Sequence, residues 1–226
     1  MNFATASKPR ALGHLGLHYR PGEAQLALRF FELLGGRIKA FGPFPNGDYF
    51  YIIALNTAAP DDAEDIVFLS AMSPQQHALE QELAAYLGVN KAEQHPALCA
   101  YFDFKQQEPE YFLHFGIHFA ALDDLEQAVQ RLMDEARTVP EFGQRIQGML
   151  RLKARSGTDA AIDARMAASP LFADAEREAF GPNLVQLHIR TDLIATGLSF
   201  LGAVVELDYV FTGEGRGTNP FNDLCM

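Results

Sequence analysis

The hydrophobic and polar positions of residues 12–72 predict a strand, a helix and then three further strands. Residues 12–19 have the pattern of a strand, and residues 24–34 place apolar side chains at the spacing of one helix face, with a Gly-Gly stop signal after them. The three further strands are predicted at residues 37–44, 48–56 and 65–72, with a hairpin turn at 45–47. The predicted order is β-α-β-β-β.

The same pattern begins again at an offset of 100 residues. Residues 13–19 are Gly-His-Leu-Gly-Leu-His-Tyr, and residues 113–119 are Leu-His-Phe-Gly-Ile-His-Phe. Residues 123–137 follow the second copy and again have the apolar spacing of a helix. A His-x-Gly-apolar-His sequence that twice enters a strand before a helix indicates an internal duplication.

The segments outside these two openings carry weaker signals. A helix is predicted at residues 74–87 and a strand at 98–104, and residues 139–180 are rich in Ala, Arg, Asp and Met at helical spacing, which predicts a helical insertion. Further strands are predicted at 184–194, 196–201 and 203–211, before a Gly-rich tail at 213–226.

Together these elements predict an α+β fold in which two βαβββ modules form an open, barrel-like curved sheet. Residues 1–90 would form the first module and residues 91–226 the second, with the insertion at about 139–180. We expect both modules to belong to one structural domain, with the helices outside and a site within.

The repeated histidines are the first candidates for chemistry. Because alternate residues of a strand share a face, His14 and His18 point one way, and His114 and His118 do the same in the second copy. The apolar residues between them would pack on the helix that follows, so the histidines would face the hollow of the curved sheet. Two such strands related by a pseudo-twofold axis would bring His14 and His114 together.

A carboxylate is the expected third partner. Two neutral imidazoles and one carboxylate form the facial triad that holds Fe(II) and leaves positions open for substrate and oxygen. Glu206 lies inside an otherwise apolar strand, and burying a carboxylate without a partner is costly. Metal ligation would explain its position, so the predicted metal ligands are His14, His114 and Glu206.

The charge and the cysteine content argue against several kinds of partner and site. The net charge is −11 and no Lys/Arg cluster interrupts the acidic balance, so we expect neither nucleic acid nor an anionic membrane as a partner. Cys99 and Cys225 fit neither a disulfide framework nor a CxxC metal site. With no signal-peptide pattern and no apolar run of about 20 residues, we expect a soluble, cytoplasmic protein.

The duplicated unit resembles a known superfamily. The Leu-Gly-His opening at 12–14 and the His-Phe-x-Ile-x-Phe-x-x-Leu-Asp-Asp opening at 114–124 resemble the vicinal oxygen chelate superfamily, and within it most closely the type I extradiol ring-cleaving dioxygenases. The resemblance covers both βαβββ units and excludes residues 139–180. It implies a ligand histidine on the first strand of each module and a ligand glutamate on the last strand, which fall on His14, His114 and Glu206.

The resemblance also implies two catalytic histidines outside the ligand set. One precedes the second ligand and falls on His95, and the other lies upstream of the glutamate and falls on His188, with Gly202 in register. The family's Tyr and Asp-Pro pair between that histidine and the glutamate are missing, and those places hold Thr196, Ser199 and Phe200.

A second alignment is possible near the C-terminus. The sequence Gly-Pro-Asn-Leu-Val-Gln-Leu at 181–187 is similar to the superfamily's last-strand motif, with Gln in place of Glu. In that alignment Gln186 would replace Glu206 as the third ligand. Glu206 is preferred because the alternative leaves no strands for the second and third positions of the module.

The resemblance implies an Fe2+-dependent dioxygenase that cleaves a catechol-like aromatic with O2, with His188 or His95 as base and then acid. Mn2+, Zn2+ and Ni2+ are alternative metals. A glyoxalase- or epimerase-like enzyme, using Zn, Ni or Co to stabilise an enediolate, is a second possibility. A metal-free small-molecule-binding protein of the resistance type is a third. The expected partners are a small-molecule substrate and O2, and we expect a homo-oligomer.

Overall fold

The computed structural model describes residues 13–45, 47–55 and 65–211, so the predicted tail at 213–226 and Cys225 lie outside the described residues. The first module consists of β1 (His14–Tyr19), α1 (Ala24–Leu33), β2 (Arg37–Phe41), β3 (Phe50–Ala54) and β4 (Ile66–Ala71). The connection to the second module contains α2 (Pro74–Leu87), α3 (Pro96–Gln107) and a 3₁₀ turn (Pro109–Tyr111). The second module consists of β5 (His114–His118), α4 (Leu122–Thr138), α5 (Pro140–Gly143), β6 (Ile146–Lys153), α6 (Ala160–Ala167), β7 (Arg177–Glu178), β8 (Leu184–Thr191), a second 3₁₀ turn (Ser199–Leu201) and β9 (Ala203–Val210).

Each module forms its own mixed sheet. The strand order is β1-β4-β3-β2 in the first sheet and β5-β9-β8-β6-β7 in the second. The first strand of each module runs parallel to the last, as β1 does to β4 and β5 to β9. The predicted α+β fold with two βαβββ modules is confirmed, and neither sheet closes into a barrel.

The insertion of the second module differs from its predicted range. Residues 139–180 include β6, which pairs antiparallel with β8, so the insertion lies after the second strand and comprises α6, β7 and their loops at 154–183. The Met, Leu, Arg and Lys residues of β6 have good helix propensity, and long-range pairing overrides it. Arg165 of α6 ties the insertion to the start of α4 through Asp123 and Glu126.

Two predicted strands were wrong. Residues 98–104 belong to α3, and residues 196–201 end in the second 3₁₀ turn. The aromatic residues of α3 favour a strand by composition. However, Pro96 occupies the first turn of the helix, and the His95 side chain accepts a hydrogen bond from Ala97 N at 3.2 Å, so these two residues start a helix.

One cluster of buried apolar side chains contains residues of both modules, including Phe30 of α1 and Val129 of α4. The two helices also contact each other directly, since Arg131 of α4 donates to the carbonyl oxygen of Leu33 at the end of α1. On the strand side, His18 at the end of β1 exchanges two backbone hydrogen bonds with Ala195. The modules therefore share a core and a backbone contact.

Candidate metal centre

One face of the second sheet carries polar side chains, and several of them are buried. Leu187 and Ile189 of β8 are fully buried in the core, so His188 between them points to the opposite face. The same alternation places Glu206 of β9 and His114 of β5 on that opposite face, which we call the polar face; Gln186, Arg190, Gly116, His118 and Asp208 also lie on it. Glu206 is paired with His188 on one side and with Gly116 on the other.

Glu206 contacts several other side chains of the polar face, and one of them also contacts the first 3₁₀ turn. Glu206 Oε2 lies 3.2 Å from His114 Nε2, and Glu206 Oε1 lies 3.9 Å from His188 Nε2 and accepts a hydrogen bond from Gln186. His188 Nε2 is also 2.8 Å from Oε2 of Glu110, which belongs to the first 3₁₀ turn. In the part of the chain that the structure describes, Glu110, His188 and Glu206 are the one His/Cys/Asp/Glu group with ligand atoms all within 4.8 Å of one another.

The ring of His114 is held in a fixed orientation. Its Nδ1 lies 2.7 Å from the carbonyl oxygen of Phe112 and must be the donor, because a carbonyl can only accept. The pKa of His114 is raised to about 9, chiefly by its hydrogen bond to Glu206, against the opposing effect of burial. A histidine whose Nδ1 donates to a carbonyl presents Nε2 to its other partner, which is the usual arrangement of a metal ligand.

Carboxylates are concentrated at this point without matching cations. Burial and the charge of Glu206 raise the pKa of Asp208. Burial also raises the pKa of Glu206, but hydrogen bonds with His114, Asp208 and Gln186 outweigh burial and leave that pKa well below its usual range. Among the described residues, no Lys or Arg forms an ion pair with Glu110, Glu206 or Asp208. Only imidazoles compensate this charge, so a cation here would relieve a like-charge cluster.

A glycine of β5 lets the carboxylates approach the strand closely. A Cβ atom at Gly116 would lie 3.2 Å from Asp208 Oδ2 and 3.8 Å from Glu206 Oε2, so a larger residue there would crowd the Asp208 carboxylate. Asp208 Oδ1 and His188 Nδ1 are buried without a hydrogen-bond partner. Unsatisfied buried polar atoms are uncommon, and a bound cation would give the Asp208 oxygen a partner. The imidazole and carboxylate donors are suitable for a divalent transition metal.

The predicted ligands do not all meet. The structure brings His114 and Glu206 into contact, but His14 lies on the first sheet, where its ring stacks on Phe68 with centroids 4.3 Å apart. The described residues include no group of His14, His114 and Glu206 with ligand atoms within 4.8 Å of one another. The reason is that His14 belongs to the first sheet, whereas His114 and Glu206 lie on neighbouring strands of the second. At the matched position of the first sheet, β4 carries Phe68 opposite Gly16 where β9 carries Glu206 opposite Gly116.

The two predicted catalytic histidines have different surroundings. His188 is 1% exposed and belongs to the candidate ligand group, whereas His95 is exposed and caps α3. The alternative third ligand, Gln186, lies on β8, and its amide donates to Glu206, which lies on the last described strand, β9.

Sequence reasoning missed Glu110 and Asp208. Asp208 had a signal, because it lies two residues after Glu206 on the same face of the same strand. The sequence gives no comparable signal for Glu110 beyond its position just before β5. Glu110 contacts His188 because the first 3₁₀ turn packs over the polar face.

A cleft of about 710 Å³ lies between the modules, and its lining includes Gly116 and His118 of the polar face. It is lined by side chains of β1, β5 and α4, including His14, Leu15, Phe115, His118 and Arg131. Burial lowers the pKa of His118. Clefts of this size and mixed lining are typical of small-molecule sites.

No described helix combines the length and the apolar composition needed to cross a bilayer. A scan against known protein-family models finds no match to the chain, and a search of curated protein sequences also finds none.

Proposed function

We propose that the protein is a divalent-metal-dependent enzyme whose metal is held by His188 and Glu206 of the second sheet and by Glu110 of the first 3₁₀ turn, with His114 beside Glu206. The convergence of their ligand atoms within 4.8 Å on the polar face carries this proposal. The proposed native metal is Fe2+, with Mn2+, Zn2+ and Ni2+ as alternatives, because imidazole and carboxylate donors suit all four. The predicted ligand His14 is not a member of this group.

The proposed reaction is the cleavage of a catechol-like aromatic by O2, as the resemblance to extradiol dioxygenases implies. A bound divalent metal would supply a Lewis acid and a template for two adjacent substrate oxygens. The protein's own groups have separable tasks around it. Phe112 orients the His114 ring, Gln186 orients the Glu206 carboxylate, and Asp208 forms a side-chain hydrogen bond with that carboxylate.

Metal content tests the proposal directly. The protein would be purified anaerobically, analysed for its elements and titrated with Fe2+ and Zn2+, alongside Glu206→Gln, His188→Ala and the control Glu82→Gln, which alters an exposed residue of α2. We expect the first two variants to lose well over about tenfold in metal affinity, since even changes next to ligands cost about 10- to 100-fold. Equal metal binding by the wild type and Glu206→Gln would overturn the proposal.

Oxygen uptake then separates the two enzymatic reactions. With a panel of catechols, ring cleavage consumes O2 and gives a new absorbance, whereas a glyoxalase- or epimerase-like reaction through an enediolate proceeds without O2. The latter result would retain the metal centre and replace the chemistry.

The cleft between the modules supports a second candidate function, the binding of a small molecule without metal. Its volume of about 710 Å³ and its lining by Leu15, Phe115 and Arg131 would suit an amphipathic ligand. A protein that binds no divalent metal but retains aromatic ligands, and loses them in Phe115→Ala, would fit this function better.

The location and the assembly stay predictions. We propose that the protein works in the cytoplasm as a homo-oligomer, with a small-molecule substrate and O2 as partners. Light scattering of the purified protein measures the oligomeric state.

A further inference from the structure

The insertion at 154–183 adds a short strand to the sheet that carries the candidate metal centre. Its strand β7 pairs parallel with β6, and β6 pairs on its other side with β8. Arg177 of β7 and Gln186 of β8 both lie opposite Leu152 of β6. Because residues paired across neighbouring strands point to the same face of a sheet, Arg177 points to the polar face, as Gln186 does.

The Arg177 guanidinium holds the junction between α3 and the first 3₁₀ turn. Its Nη1 donates to the carbonyl oxygen of Gln107, the last residue of α3, at 2.6 Å. Its Nη2 donates to the two carboxylate oxygens of Glu108, which immediately precedes the turn, at 3.1 and 3.0 Å. The last carbonyl groups of a helix have no partner within the helix, and an arginine side chain can supply one. Arg177 therefore fixes the chain two residues before Glu110.

The position of Glu110 depends on such contacts because it lies on a turn of three residues. Local backbone hydrogen bonds close this turn, from Tyr111 N to Glu108 O at 3.3 Å and from Phe112 N to Pro109 O at 3.0 Å. Hydrogen bonds of a 3₁₀ turn have poor geometry, whereas a metal ligand must be held within about 0.5 Å of its place. Contacts from outside the turn are therefore needed to fix the Glu110 carboxylate.

The turn is fixed at both of its ends. Arg177 binds the chain before the turn, and the carbonyl oxygen of Phe112 after the turn accepts a hydrogen bond from His114 Nδ1. Between these two points, Glu110 Oε2 lies 2.8 Å from Nε2 of His188. Loss of the Arg177 contacts would free one end of the turn and let the Glu110 carboxylate move away from His188.

A second contact of the insertion indicates the same role. The backbone N–H of Phe180 donates to Oε1 of Gln186 at 3.5 Å, and the amide nitrogen of Gln186 donates to Glu206. A carboxylate can only accept, so the Gln186 amide must turn its oxygen away from Glu206, and Phe180 gives that oxygen a donor. The insertion thus contacts a neighbour of Glu110 and a neighbour of Glu206.

We propose that Arg177 is a positioning residue of the metal centre, through which the insertion holds the turn that carries Glu110. This inference rests on the proposed function and gives the insertion a role in it. Arg177 donates no ligand to the metal, so its whole effect on metal affinity passes through Glu110.

A double-mutant cycle tests this dependence. Isothermal titration with Zn2+ would compare the wild type, Arg177→Ala, Glu110→Ala and the double variant. We expect Arg177→Ala to lose about tenfold in affinity, the lower end of the range of about 10- to 100-fold for groups that orient metal ligands, because its ion pair is partly exposed. In the Glu110→Ala background the same substitution should have no further effect, since coupled residues are not additive. An equal loss in both backgrounds overturns the inference.

A second arginine of the same sheet provides the matched control. Arg151 of β6 also binds the insertion, through Asp174 at 2.7 Å and the carbonyl oxygen of Leu171 at 2.9 Å, and its side chain is similarly exposed. We expect Arg151→Ala to retain the Zn2+ affinity of the wild type, and Arg177→Lys to recover part of what Arg177→Ala loses. An equal loss of affinity in Arg151→Ala and Arg177→Ala would mean that the insertion acts through general stability, which contradicts the inference.

A wild type that binds no Zn2+ would contradict the proposed function instead. The imidazole 15N signals of His188 in the metal-free proteins then test the positioning, because Glu110 contacts Nε2 of that ring. A change of these signals in Arg177→Ala alone supports the role of Arg177. Unchanged signals in Arg177→Ala, or the same change in Arg151→Ala, overturn it.

Discussion

The two modules share one backbone plan and differ in chemistry at matched positions. In each, a His-x-Gly-x-His strand runs parallel to the last strand of its sheet, and the central glycine faces one side chain of that strand. Gly16 faces Phe68 in the first module, whereas Gly116 faces Glu206 in the second. The strand on the other side of the last strand differs in the same way, because its residue is apolar in the first module and polar in the second. On β3, Ile52 lies opposite Phe68, and on β8, His188 lies opposite Glu206.

The repeated histidines follow this difference. His14 stacks on an aromatic ring, and His114 pairs with a carboxylate. His18 is 3.2 Å from the Ser70 hydroxyl, whereas His118 lies opposite Asp208. The duplicated strand pattern thus fixes the position of each histidine, and the residue on the neighbouring strand determines which partner that histidine has.

The largest expected effect tests whether the modules are energetically separate. Phe30 is fully buried in the cluster that both modules share, so Phe30→Ala should lower the free energy of unfolding by about 3–5 kcal/mol. Because the core is common, urea unfolding followed by fluorescence and by circular dichroism should give one coincident transition. Two transitions, with only one shifted by the variant, would show that the modules unfold independently.

The second-largest effect is expected from a substitution that makes the second module resemble the first. Glu206→Phe places an aromatic side chain opposite Gly116, as Phe68 stands opposite Gly16. We expect Zn2+ affinity to fall by about 100-fold or more, because Glu206 contacts both histidines of the centre. Isothermal titration measures the change, and a melting curve recorded in EDTA checks that the metal-free fold survives. Retained metal binding would show that the ion lies elsewhere.

The reverse exchange is expected to have a smaller effect. Phe68→Glu in the Glu206→Phe background would place a carboxylate beside His14, with a stability cost of about 1–3 kcal/mol for the half-buried charge. Zn2+ should bind this double variant more weakly than it binds the wild type, because the matched position on β3 is Ile52. If the double variant binds no more Zn2+ than Glu206→Phe alone, strand position is insufficient to recreate the centre.

The smallest effect concerns a contact between the modules. Arg29 of α1 and Glu135 of α4 form an ion pair at 2.9 Å, but both side chains are partly exposed. Arg29→Ala should therefore cost no more than about 1 kcal/mol in urea unfolding, similar to Arg137→Ala, whose pair lies within α4. A loss several times larger than that of Arg137→Ala would mean that this pair holds the modules together.

The first module could be predicted from its sequence because its signals are local. Its helix has clear apolar spacing, and its strands follow within a few residues of one another. The second module could be predicted only in part, since β6 is identified by its pairing with β8 across an insertion, and the aromatic side chains of α3 favour the wrong element. Local composition does not contain those long-range contacts.

The candidate site could also be predicted only in part from the sequence. Strand alternation and the repeat identified His114 as a candidate, and the position of an acidic residue in an apolar strand, together with the family resemblance, identified Glu206. The pairing of β5 with β9 puts both on one face. The relation of His14 to them depends on how the two sheets face each other, which no periodicity encodes. Glu110 joins the group through a turn that packs over the sheet, so only the folded chain reveals it.

The insertion at 154–183 has a consequence for the order in which the chain folds. The β2 and β3 strands are separated by residues 42–49, whereas β6 must find β8 across a connection nearly four times longer. Closing a longer loop costs roughly 1 kcal/mol more entropy, and non-local pairing slows folding. His188 and Glu206 lie beyond that slow closure, so the nascent chain should acquire its first sheet before the candidate metal ligands come together. Pulsed hydrogen exchange would show this as earlier amide protection in β3 than in β8.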